Sequence, residues 1–274
     1  MTFEAFYLPA AVGQRFCLFH QPDAETARRG AVLYIHPFAE EMNKSRRMAS
    51  LQAKALAHAG YAVLQIDLHG CGDSSGDFGE ASWEGWIEDV VLACAWLQQR
   101  NDTVLWLWGL RTGCLLACAA AARIDQPSKL LLWQPVVSGK QFLQQFLRLR
   151  IAGEMHVGDS KGLMDRLREQ LAQGESVEIA GYLLSSAMAN ELGRAELSPS
   201  AHSAAQIEWI ELSGKPDGDL SPLASTRLDL WKSVGLSARG STVYGPAFWQ
   251  TAEIAECPAL LEASMLAMSA VFAK

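Results

Sequence analysis

Thr103-Val-Leu-Trp-Leu-Trp-Gly-Leu-Arg-Thr-Gly-Cys-Leu-Leu-Ala-Cys118 decides how the rest of the chain is read. Residues 103–108 form a near-continuous apolar run, as in a strand buried on both faces. Gly109 and Gly113 then bracket a turn, because residues without a Cβ let the backbone bend tightly. Small and apolar residues from 112 to about 123 read as the helix that follows. At the apex of the turn stands Arg111, whose guanidinium stays protonated and has no lone pair to offer a carbonyl carbon.

Outward from this unit the pattern repeats. Residues 31–36 read as a buried strand that Pro37 forces the chain to leave, and 61–67 and 129–134 are strands of the same kind. Residues 83–99 form a helix with Trp86, Val90, Ala93 and Leu97 on one face. Residues 38–47 read as a charge-dense loop, with Ser45 capping a helix through Met48, Leu51, Leu56 and Ala59 that Gly60 stops. Residues 68–76 are a glycine-rich loop, and 3–8 with 14–20 an edge hairpin. Strand, helix, strand, helix at this spacing means a mostly parallel central sheet with helices on both faces. Residues 138–201 break the alternation: Phe142, Leu143, Phe146 and Leu147 share one helical face, and Leu163, Met164, Leu167 and Leu171 another. They read as an inserted helical cap on a core made of residues 1–137 and 202–274. In the second part of that core, 206–212 and 242–244 are strands and 227–234 and 258–272 helices.

The chain has 274 residues, 50% of them hydrophobic and 19% charged, enough apolar material for a large core. A net charge of -7 argues against nucleic acid or an anionic membrane as the main partner. No apolar run is long enough for a membrane span, and residues 1–16 lack the order of a secretion signal. The six cysteines fall mostly in apolar stretches, as at Cys94, Cys114 and Cys118, without a C-x-x-C pair. Reduced thiols in a cytoplasmic protein, with no metal site and no cofactor, are the expectation. Nothing in the sequence marks an oligomeric state.

Three motifs together resemble the α/β-hydrolase superfamily along nearly the whole chain. They are Tyr34-Ile-His-Pro-Phe38, Asp67-Leu-His-Gly-Cys-Gly-Asp-Ser-Ser-Gly76 and Gly109-Leu-Arg-Thr-Gly113, the last in the form of a nucleophile elbow. The resemblance implies an α/β-hydrolase fold and, in ordinary members, a serine, an acid and a late histidine. Here the elbow carries Arg111, and residues 83–127 contain no serine. Histidines stand at 20, 36, 58, 69, 156 and 202, none after the last strand, where Tyr244-Gly-Pro-Ala-Phe-Trp-Gln250 is found. Asp217 or Asp219 is a candidate acid with no imidazole to orient, and Cys114 reads as a packing residue on the next helix. The usual triad is therefore not expected. The longer run His36-Pro-Phe-Ala-Glu-Glu-Met-Asn-Lys-Ser-Arg-Arg-Met48, with Gly245-Pro-Ala-Phe-Trp249, is similar to the exosortase A system-associated hydrolase, type 2, family. That resemblance implies a bacterial protein encoded beside exopolysaccharide and protein-sorting genes.

At the mouth of such a sheet, Glu40, Glu41, Asn43, Arg46, His69 and Arg111 are expected to converge, with His36 at the end of its strand. A cation at a helix N-terminus is disfavoured, so Arg111 needs a partner. One reading is an internal ion pair with Glu40 or Glu41. The other is an anion site in which Arg111, the N–H groups of Thr112 and Gly113, and Arg46 or Lys44 hold a small acidic or acyl-bearing ligand. His36 and His69 read first as structural residues and second as places for acid–base chemistry with Glu41. Three functions are open: a hydrolase that works without the triad, a non-catalytic binder of an acidic metabolite or protein partner, or a structural subunit that self-associates through an apolar, tryptophan-rich surface.

Overall fold

A computed structural model describes residues 3–101, 103–153 and 160–269. The chain opens with an antiparallel hairpin, β1 (Phe3–Pro9) and β2 (Gln14–His20). It continues through β3 (Gly30–Ile35), α1 (Glu40–His58), β4 (Tyr61–Ile66), α2 (Trp83–Arg100), β5 (Leu105–Leu110), α3 (Gly113–Ala121) and β6 (Ser128–Trp133). An intervening segment holds α4 (Gly139–Gly153), α5 (Ser160–Ala172), β7 (Val177–Ile179), β8 (Tyr182–Leu184) and α6 (Ser186–Leu192). Last come β9 (Ala204–Ser213), α7 (Pro222–Ser233), β10 (Ala238–Tyr244) and α8 (Pro258–Ser269). One eight-stranded sheet runs in the order β1-β2-β4-β3-β5-β6-β9-β10, parallel from β4 to β10. The expected α/β-hydrolase fold is what the chain adopts. No helix among the described residues is long and apolar enough to cross a membrane.

Alternation along each strand divides the interior into two cores. In β3, Ala31, Leu33 and Ile35 face a core shared with α2 and α3, while Val32 and Tyr34 face one shared with α1 and α8. The second core holds a column of rings: Tyr34 to Trp108 at 4.4 Å between centroids, Trp108 to Trp133 at 4.6 Å, Trp133 to Phe248 at 6.3 Å and Phe248 to Trp249 at 5.2 Å. Trp133 anchors this column to α8 by donating Nε1–H to the Ser264 hydroxyl at 2.8 Å.

The turn after β5 is held by its glycines. A Cβ on Gly113 would lie 2.2 Å from the Ile35 carbonyl oxygen, and one on Gly109 would lie 2.6 Å from the Cys114 nitrogen. Only glycine lets α3 come down onto the sheet there.

The segment between β6 and β9 leaves and returns at one place: the Gly139 N–H donates to the Ala195 carbonyl at 2.8 Å and the Leu197 N–H to the Val137 carbonyl at 3.0 Å. It is not wholly helical as expected. Ala180 (φ 50) and Gly181 (φ 84) form the two-residue turn of the β7–β8 hairpin, whose three-residue strands are too short to show a period in sequence. α1 also differs from the expected helix. Its helix begins at Glu40, ahead of the expected Ser45 cap, because two carboxylates in the first turn suit the positive end of the helix. Ser45 lies inside it and donates its hydroxyl back to the Glu41 carbonyl at 2.6 Å.

Candidate functional site

The C-terminal ends of β3, β5 and β6 meet at one mouth, and each is followed by a non-glycine residue with positive φ: Ala39 (51°), Arg111 (56°) and Gln134 (42°). Each such residue stores about 1–3 kcal/mol of backbone strain, which the surroundings must hold in place. At Arg111 the hold is visible. Its N–H donates to the Trp133 carbonyl at 3.0 Å, and its own carbonyl accepts from Cys114 at 3.1 Å and Val136 at 3.2 Å. Gln134 accepts the Leu212 N–H on its side-chain oxygen at 2.7 Å, tying the end of β6 to β9.

From this apex the Arg111 side chain runs towards α1. Its Nε lies 3.3 Å from Glu41 Oε1, and both side chains are largely buried, 18% and 13% exposed. Its Cζ sits 5.4 Å from the centre of the Trp249 ring, a cation–π distance. Its two Nη groups donate no hydrogen bond to another side chain or carbonyl among the described residues. Glu41 Oε2 and the neighbouring Glu40 Oε2 are both buried without a hydrogen-bond partner. Burial pushes the Glu41 carboxyl up to about 7; Arg111 pulls the other way but does not win, and Glu40 adds to the rise.

These groups line a cavity of about 250 Å³. Phe38, Phe142, Phe146, Leu149 and Trp249 make its apolar walls; Glu40, Glu41, Lys44, Arg111, Gln145 and Gln250 supply the polar groups. Phe38 is the hinge of the apolar side, edge-on to Phe142 at 5.6 Å and to Phe146 at 5.1 Å. Thr112 is buried at the N-cap of α3 with no side-chain cap bond, and Gly113 starts the helix.

The other expected residues lie elsewhere. Arg46 donates to Asp67 Oδ2 at 3.0 Å and, with His36, borders a separate cavity of about 200 Å³ between α1 and the β2–β4 side of the sheet. His36 is buried, with Nδ1 2.8 Å from the Pro37 carbonyl and Nε2 accepting the Leu68 N–H at 3.2 Å; burial lowers its pKa, so the ring is neutral and structural. His69 borders a third cavity, of about 680 Å³, beside Arg15, Glu88 and Asp89. Its backbone is used on both sides, N–H to Asp89 Oδ2 at 2.9 Å and carbonyl to Trp86 Nε1 at 2.9 Å. Asn43 is exposed and reaches the Tyr182 hydroxyl at 3.4 Å. So Glu40, Glu41 and Arg111 share a cavity, and Asn43, Arg46, His36 and His69 are outside it.

Trp249, Phe142 and Phe146 are walls that the sequence did not single out as site residues. The Phe142–Phe146 spacing of one helical turn was a legible signal for a shared face, though not for what it faces. Among the triad positions, Asp217 and Asp219 are exposed, His156 lies outside the described residues, and the loop after β10 delivers Trp249 to the cavity. The Cys114 thiol is buried and donates to the Gly109 carbonyl at 3.2 Å; burial drives its pKa well up, which suits packing and not attack.

Comparison with known proteins agrees with this fold. The family model described as serine aminopeptidase, S33, matches residues 26–189, more than half of the chain. A human relative, Protein ABHD12B, is 32% identical over 96 residues, which span 35% of this chain and 25% of that protein. Among solved structures, Est1E from Butyrivibrio proteoclasticus aligns with a TM-score of 0.64 at 14% identity, covering 96% of this chain and 98% of its own. A proline iminopeptidase-related protein from Thermus thermophilus gives 0.60 at 18%, covering 98% and 99%. An α/β serine hydrolase without a lid from Xanthomonas campestris gives 0.58 at 17%, covering 97% and 93%. At these identities the structural likeness is one of fold.

Proposed function

The chain belongs to the serine aminopeptidase S33 family of α/β-hydrolases, and from that premise we propose that it keeps the family's pocket without the serine–histidine–acid triad and uses it to bind a small acidic ligand. One observation carries this reading. Arg111, at the apex where a nucleophile would stand, touches Glu41 through Nε alone, so the forked end of the guanidinium is left for a ligand in an aromatic-walled cavity. A fork of this kind matches a carboxylate or phosphate with two parallel hydrogen bonds. The strained backbone at Ala39, Arg111 and Gln134 adds weight, because strain tends to persist where function requires a fixed geometry. Residues 138–201 act as a cap in this reading, supplying Phe142 and Phe146 to the walls of the cavity.

The test is a thermal-shift and tryptophan-fluorescence titration with acetate, benzoate and phosphate on the wild type and Arg111→Met. An anion response in the wild type that Arg111→Met lacks supports the reading. Equal responses in both proteins, or none in either, overturn it.

A second reading is retained because Glu41 titrates near 7 through burial, the range useful to a general base. It is a triad-independent hydrolase of the ester or acyl type, with Glu41 activating water. Release of p-nitrophenol from a chain-length series of esters, abolished in Glu41→Gln, supports it; no turnover above a boiled control removes it. The resemblance of the charged run 36–48 adds a setting to either reading: a cytoplasmic bacterial protein working beside exopolysaccharide and exosortase genes. Genomic neighbours without such genes would sink that part.

A further inference from the structure

The Arg111 cavity carries an imbalance that the ion pair does not resolve. Glu40 and Glu41 both line it, each with a buried Oε2 that no donor reaches. The cations available are Arg111, from the turn after β5, and Lys44, on the same helix as the two carboxylates. From α4 the cavity receives Phe142, Gln145, Phe146 and Leu149, and from the loop after β10 it receives Trp249 and Gln250, all uncharged. A third carboxylate entering to take the Arg111 fork would leave Glu41, buried beside Glu40, sharing the guanidinium that now answers it alone. Such a group does not stay ionised out of water; it takes a proton.

Resting on the anion-binding reading above, we propose that the ligand is a monocarboxylate with an aryl or short acyl body and that it binds together with one proton, which Glu41 takes up as the ligand claims the Arg111 charge. The balance is simple: ligand carboxylate plus Glu41 carboxylate plus one proton from solvent gives the ligand on Arg111 and Glu41 as the neutral acid. No covalent bond other than the new O–H forms. The proton's place is Oε2, the oxygen that faces no donor now. The body's place is against the walls made by Trp249, Phe142 and Phe146, where apolar contact rewards a ring or chain over a methyl group. The ionised state of Glu41, already held only weakly against burial, is thus the competitor that the ligand removes.

The experiment is calorimetric titration of the whole chain with acetate, hexanoate and benzoate from pH 6 to 9, in two buffers of different ionisation enthalpy. The expected result is uptake of close to one proton per benzoate at pH 8. Affinity should fall about tenfold per pH unit above neutrality, and benzoate and hexanoate should bind at least about tenfold tighter than acetate. Glu41→Gln should bind benzoate more tightly at pH 8, with a flat pH profile. Should that variant fail to fold, the buffer comparison on the wild type still decides the proton count. Binding that is lost in Arg111→Met but takes up no proton and is flat with pH overturns the proton linkage and leaves the anion site standing. Acetate binding as tightly as benzoate overturns the ligand class. No binding of any carboxylate overturns this proposal, and the phosphate titration above then decides whether the anion site stands.

Discussion

Arg15 of β2 and Asp89 of α2 form an ion pair, Nε to Oδ1 at 2.7 Å, with their side chains 6% and 4% exposed. The pair fastens the antiparallel edge of the sheet to the helix beside it, and Asp89 Oδ2 also accepts the His69 N–H. Removing one partner strands the other charge out of water. Asp89→Ala should therefore cost about 3–5 kcal/mol in equilibrium denaturation. Glu256→Ala, at an exposed pair with Arg47, should cost less than about 1 kcal/mol. Equal losses in the two variants would contradict the assignment.

Gly113→Ala should destabilise the protein by about 1–3 kcal/mol, since the new methyl must displace α3 from the Ile35 carbonyl. The same shift moves the Arg111 apex, so the anion response should fall with stability. An alanine variant as stable as the wild type would mean that the helix can retreat without cost.

Glu41 makes the stability of the folded protein depend on pH. Its carboxyl is raised to about 7 when folded, above the unfolded value, so between those values the folded state holds more protons. Its contribution is without penalty below the unfolded pKa and becomes unfavourable as pH rises towards and past about 7. The full difference is about 3 kcal/mol at the usual conversion. Denaturation at pH 5 and pH 8 should show the stability of Glu41→Gln rising relative to wild type by an amount of this order. A difference independent of pH, or of opposite sign, rejects the buried carboxyl.

Ser264→Ala leaves the Trp133 Nε1–H buried without its acceptor. The expected loss is about 1–3 kcal/mol, read by chemical denaturation. If the variant matches wild type, Trp133 must find another acceptor in the second core.

Much of the fold was legible because its cause is local. The apolar runs at 31–36, 61–67, 103–108 and 129–134 are long enough to announce buried strands, and they are β3, β4, β5 and β6. The Gly109–Gly113 turn could be read because close approach needs glycine. Glu40, Glu41 and Arg111 were reachable for a similar reason: they follow directly on strands that end at one mouth. The rest depended on rotation. With α1 starting at Glu40 instead of beyond Ser45, Asn43 and Arg46 sit about 200° and about 140° around the helix from Glu41, so both turn away from it. His36 and His69 are claimed by backbone partners that sequence does not reveal. Trp249 reaches Arg111 from the far end of the chain, beyond the last strand, and no local pattern encodes that contact.

The column of rings from Tyr34 to Trp249 backs one wall of the cavity with the sheet itself. Trp249 stands at the end of a stack seated on three strands, whereas Phe142 and Phe146 ride on α4, outside the sheet, and bear on Phe38 of the loop after β3. A series of ligands enlarged one atom at a time would meet a firm boundary in the first direction and a yielding one in the second. Selectivity in this protein would then be written by the sheet, and tolerance by the insert.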